Sequence, residues 1–188
     1  MLTATQLVLV QTDIFGASNA ALVGFIALND TANIAEYYNG PHPTLKVWRE
    51  DASVEAVRGA LLWNRFTPGD TVPTLDLLSN SIWQSRSLAC QGKQFNLQLM
   101  LGNGGTLPAH LQGFRDGIKD ACAAIPSGTA GVAQNGGWLS AGLPVQVAMQ
   151  RPITRVENLF ATTVDGAQIT TIYGVRITAQ EILPLISP

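Results

Sequence analysis

Charge is what this sequence has least of. Asp, Glu, Lys and Arg together make up 13% of its 188 residues, about half of the roughly 25% carried by ordinary soluble domains. Residues 121–150 contain none of the four. Lysine is scarcer still: of 11 basic residues only Lys46, Lys93 and Lys119 are lysine, and the rest are arginine. A net charge of −2 excludes a global pull toward nucleic acid or an anionic membrane. Two cysteines, Cys90 and Cys122, are too few for a disulfide scaffold or a zinc site. Each lies in a helical pattern and reads as a small buried hydrophobe. The two histidines, His42 between two prolines and His110 two residues after Pro108, lie outside any metal-ligating spacing,. No G-x-S-x-G occurs, and no nucleophile stands near a base. "GNGG" at 102–105 lacks the GK[ST] ending of a phosphate loop and reads as a helix end. No catalytic, cofactor-binding or metal-binding residue is therefore assigned. The first basic side chain is Lys46, so the start lacks the charged region of a secretory signal. Gly and Asn interrupt the first long uncharged stretch, 14–29, and Gly and Pro the second, 121–150, short of the ~20 apolar residues of a membrane span,. A soluble protein made in the cytoplasm is expected.

What remains is an exterior poor in Lys and Glu, with arginine preferred and four tryptophans present. Interfaces are depleted in Lys and Glu and enriched in Arg and aromatics, so the composition suits a subunit that hides much of its surface in an assembly. A surface that is merely polar and uncharged is the alternative.

Along the chain, Thr3–Gln6 is a capping box opening a first helix, and Asp30 caps a second over 31–38. "TLKVWR" (44–49) is a strand or an extended linker. Ser53 caps a helix running into Trp63. From Pro73 to about Leu101 the spacing of Ile82, Trp83, Leu88, Phe95 and Leu99 predicts one long helix, or two broken around Gln91-Gly92,. Pro108 opens a helix whose apolar stripe is Leu111, Phe114, Ile118, Cys122 and Ile125, with Arg115, Asp116, Lys119 and Asp120 on its polar face. Residues 126–142 are Gly-rich without periodicity, and Pro144 starts a short helix. In "RPITRVENLFATT" (151–163), Thr154 and Glu157 form a second capping box. Capping does not explain Arg151 and Arg155, because a helix N-terminus disfavours cations; a contact partner or a solvated face would. After Asp165-Gly166, residues 168–177 read as a strand or hairpin arm, and Thr178–Glu181 is a third capping box. The expected fold is mainly α: a bundle-like single domain over 1–188, with long Gly-rich loops and a small β-hairpin or extended arm near the C-terminus. Extended arms are expected at 126–142 and 164–178. A helix–turn–helix drawn through 53–78 would hold only Arg58 and Arg65 as basic residues, which argues against a DNA-binding regulator.

Several stretches together resemble a known family. "LTATQL", "ALNDTANIAEYYNGP" followed by "VWR", "LQGFRDGIKDACAAIPSG" and "RPITRVENLFATT" leading to "ITAQEI" occur in this order. They look like small head and neck virion proteins of tailed bacteriophages, similar in role to head–tail adaptor (connector) proteins. The most specific piece is Arg155 with Glu157-Asn158-Leu159-Phe160-Ala161-Thr162; Asn158 and Thr163-Val164 depart from the family's pattern. The resemblance implies a helical subunit in a virion, forming a homo-oligomeric ring of twelve copies. Such a ring lies between portal protein and a tail or neck protein, with genomic DNA passing non-specifically through its lumen and no membrane involved. Other neck, head-completion or tail-terminator roles are the alternative. Candidate partner-interface residues are Trp48, Trp138, Arg151, Arg155 and Phe160.

Overall fold

The computed structural model describes residues 2–17, 19–66, 77–102, 104–123, 125 and 135–187. The chain divides into two compact units: 1–47 with 152–188, and 48–151 inserted between them.

In the first unit, α1 (Ala4–Phe15), α2 (Ala20–Ala27) and α3 (Thr31–Asn39) come first. Each starts on a side chain that accepts orphan backbone N–H groups: Thr3, Asn19 and Asp30,. β1 (Pro41–Trp48) and β4 (Gln150–Thr154) carry the chain across the boundary between the units. Then follow α8 (Arg155–Asn158), β5 (Ala161–Val164), β6 (Ala167–Thr170) and α9 (Ala179–Ile186). The sheet order is β4-β1-β6-β5. β5 and β6 are antiparallel around Asp165-Gly166, whose φ values of 51° and 81° suit the two-residue hairpin turn that matches strand twist,. β1 and β6 are parallel, with Val47 opposite Gln168. One apolar cluster fills this unit, drawing Val10 and Ile14 from α1, Ile34 and Tyr38 from α3, and Ile182 and Leu185 from α9. Asn39 ties the unit's two chain segments together. Its Nδ2 donates to the Ile177 carbonyl (2.7 Å) and its Oδ1 accepts from the Ile177 N–H (2.9 Å).

The second unit holds β2 (Ala52–Ser53), α4 (Val54–Ala60), a 3-10 turn at Trp63–Phe66, α5 (Leu77–Leu101), β3 (Thr106–Leu107), α6 (Gln112–Cys122) and α7 (Pro144–Ala148). α5 is unbroken through Gln91-Gly92. α6 starts at Gln112, not at Pro108, and no side chain caps it.

The mainly α, bundle-like expectation is overturned. The structure is 56% helical with 16% strand, a mixed α/β fold with a four-stranded sheet. Sequence reading touched β1 through 44–49 and β6 through the start of 168–177, although β6 ends at Thr170; it missed β4, which contains Pro152, and β5, whose four residues are too few for alternation to register,. Of the segments expected as arms, 126–134 lies outside the described residues. Gly136, Gly137 and Trp138 are buried, and Asn135 Oδ1 accepts from Gly137 N–H, Leu139 N–H and the Ser140 hydroxyl. A Cβ on Gly136 would meet Phe66 at 2.5 Å. Within 164–178, β6 is an inner strand of the sheet.

Candidate functional site

Arg155 lies at the start of α8 but serves a different helix. Its guanidinium stands 4.4 Å from the centroid of the Tyr37 ring, and its Nη1 donates to the Tyr37 carbonyl at 3.0 Å, in the last turn of α3. A cation is favoured there by the helix dipole and by the ring face. The Arg155 backbone N–H donates to the Gly40 carbonyl (3.0 Å), and a Cβ on Gly40 would come within 2.9 Å of Nη1. Glycine at 40 is what lets the guanidinium seat. The cation that capping could not explain thus finds its partner inside the first unit.

Glu157 does more than close its capping box with Thr154. It is fully buried; Oε2 accepts from the Thr154 N–H and hydroxyl (both 3.0 Å), while Oε1 accepts from the Gly174 N–H at 2.7 Å. The Thr170 hydroxyl donates to the Glu157 carbonyl. One carboxylate therefore pins both the start of α8 and the turn that follows β6.

Beside Arg155 a cleft of about 260 Å³ is lined by Asp13, Asn19, Tyr37, His42, Arg155 and Asn158, among others. Tyr38 donates its hydroxyl to Asp13 Oδ2 at 2.6 Å. Burial, and then that bond, push the phenol well above its ordinary pKa. His42 Nδ1 accepts from the Thr44 and Leu45 N–H groups, which leaves the proton on Nε2,. The cleft offers donors from Arg155 and His42 and an acceptor from Asp13. Among the described residues, no group of three His, Cys, Asp or Glu is placed to hold a metal ion.

The two tryptophans expected at a partner surface lie in the interior of the second unit. Trp48 is 0% and Trp138 3% exposed, and their rings stack 5.9 Å apart and nearly parallel. Over Trp48 lies the guanidinium of Arg115, 5.2 Å from the ring centroid and fully buried. It donates to the carbonyls of Ala109 (2.9 Å) and His110 (2.8 Å) and to Gln112 Oε1. The sequence reading put Arg115 on a solvated face; its helical spacing gave no sign of burial, and only the carbonyls of the preceding turn reveal it. Phe160 is half-buried against the first unit's core, and Arg151 is half-buried near Asp51. Cys90 and Cys122 are both buried, and burial pushes the Cys122 thiol up to about 11.

No family model, no curated protein and no solved structure matches the chain.

Proposed function

We propose that this chain is a structural virion protein, a head–tail adaptor whose copies form a twelve-membered ring joining the portal vertex to the tail and continuing the DNA channel. One observation carries the proposal beyond the family resemblance: large apolar side chains stay exposed in separate groups on both units. Val8, Leu9 and Phe15 lie outward on α1, Leu88, Phe95 and Leu99 on α5, and Leu139, Leu143 and Val147 on and before α7. A monomer with so few charges has little to keep such patches in water. A ring subunit has two lateral neighbours, a portal protein above and a tail or neck protein below, and therefore needs several apolar faces. The small negative net charge suits a lumen through which DNA slides. Tryptophan and arginine add less to this reading than their numbers suggest, since Trp48, Trp138, Arg115 and Arg155 are all engaged within their own units.

The test is co-expression of the tagged chain with its cognate portal protein, followed by electron microscopy, together with mass spectrometry of purified particles. Rings seated on the portal, and the chain in mature particles, are expected. A chain that ignores the portal and is missing from particles overturns the proposal.

A further inference from the structure

α5 carries two apolar stripes, and only one is covered. The inner stripe, Trp83, Ser87, Cys90, Gln94, Leu97 and Leu101, advances by four and three residues in turn. Cys90, Leu97 and Leu101 are buried, and Gln94 donates to the Phe66 carbonyl. Two positions earlier runs a second set with the same spacing: Ser81, Ser85, Leu88, Gly92, Phe95 and Leu99. All six are exposed, Leu88 by 68%, Phe95 by 59% and Leu99 by 65%. The set's large apolar members, Leu88, Phe95 and Leu99, fall on one line down the helix with the small residues Ser81, Ser85 and Gly92 before and between them, the spacing at which one helix meets another along a seam. The only charges in α5, Arg86 and Lys93, lie off the seam at half-buried positions.

The order of sizes along the seam identifies its occupant. Let a second α5 run antiparallel, with the two-fold axis level with residue 90. Ser81 then faces Leu99, Ser85 faces Phe95, and Leu88 faces Gly92. Each large side chain meets a small one, so the two backbones can approach closely and fill each other's hollows. In parallel register Phe95 meets Phe95, Leu99 meets Leu99, and Gly92 faces Gly92 across a gap. A charge-free face also suits a copy of itself, since no like charges are brought together. The seam is about 27 Å long. Two such faces with their flanking residues reach the order of 1,000 Å² that a specific contact requires.

We infer that the outer face of α5 pairs two copies of this chain through an antiparallel, two-fold helix contact. The inference does not rest on the adaptor proposal. An isologous contact closes a dimer, whereas a ring requires head-to-tail contacts made elsewhere on the subunit.

Sedimentation velocity and disulfide trapping test it on the full chain. The wild type is expected to sediment as a dimer at micromolar concentration. Leu88→Glu, at an exposed position that leaves the fold intact by circular dichroism, weakens the dimer by about 100-fold or more. Gly92→Leu separates association from folding. A side chain there meets nothing within 4 Å in the single chain, so thermal stability of the monomer holds or rises while the dimer is lost. Oxidising a mixture of the S81C and L99C variants should give the mixed 81–99 disulfide, with both native cysteines buried. A wild type that stays monomeric, a Gly92→Leu dimer as tight as wild type, or trapping of 81–81 and 99–99 species alone overturns the inference. A ring on the portal with no 81–99 disulfide sinks this seam and leaves the adaptor proposal standing. A trapped dimer that never joins the portal does the reverse.

Discussion

Arg115 shows how a single residue can be misread from its neighbours. It stands in a helix between Gln112 and Asp116, where spacing assigns it to water, yet it is wholly enclosed. Its guanidinium satisfies two carbonyls at the turn before α6, and α6 has no side-chain N-cap of its own. Replacing it with alanine leaves the buried Ala109 carbonyl and the half-buried His110 carbonyl without this donor and opens a void under Trp48. Arg115→Ala is expected to cost about 3 kcal/mol, more than an ordinary surface change, as read by urea denaturation of the second unit. Arg115→Lys should recover only part of this, because a point charge cannot serve two carbonyls and a ring face in one plane. A loss below about 0.5 kcal/mol would mean that the guanidinium is not holding the turn.

At the scale of elements, local chemistry was legible and long-range pairing was not. Thr3, Asp30, Ser53, Thr154 and Thr178 all cap the helices their sequences announce, since a cap needs only three or four consecutive residues,. The Asp165-Gly166 turn was legible for the same reason. The parallel pairing of β1 with β6 joins residues more than a hundred positions apart, and nothing in either segment names the other. α2, "AALVGFIA", passed unnoticed because it is apolar all round and shows no stripe,. Of the site, the charges of 151–157 drew attention to Arg155 and Glu157, but not to Tyr37 and Gly40, which give Arg155 its place.

The capping box of α9 yields a prediction with a definite sign. Glu181 is held below its ordinary value of 4.5. Partial burial would raise it, and is outweighed by bonds from the Thr178 N–H and hydroxyl and from the Leu2 N–H. A depressed carboxyl contributes stability that is present above 4.5 and fades as pH falls through the lowered folded value. Thr178→Ala should therefore cost about 1 kcal/mol near pH 7. The gap to wild type should narrow below pH 4, measured by thermal melts across that range. A gap independent of pH would show that the hydroxyl matters and the carboxylate does not.

For the molecule as a whole, the nested order of the chain matters most. The first unit is assembled from 47 residues before the insertion and 37 after it (188 − 151), and its apolar cluster draws on those residues alone. The insertion leaves and re-enters at neighbouring points, since the Arg49 N–H donates to the Met149 carbonyl at 3.0 Å. A short turn can span such a gap. Joining 1–47 to 152–188 through a few Gly-containing residues should thus give a folded protein with helical circular dichroism and a cooperative melt. A product that stays unfolded would show that the first unit cannot stand without the second.

The same nesting sets a timetable on the ribosome. Once the strand Pro41–Trp48 has been made, the 101 residues from 49 to 149 (149 − 48) must be translated before the first of its ladder partners, β4, begins. At ordinary elongation rates that is a delay of about 5–20 s. Throughout it the nascent strand offers open backbone to any neighbouring polypeptide. Pro41 and Pro43, which lack the N–H that a foreign strand would need, and Lys46, whose charge resists stacking, act as its guards during the wait.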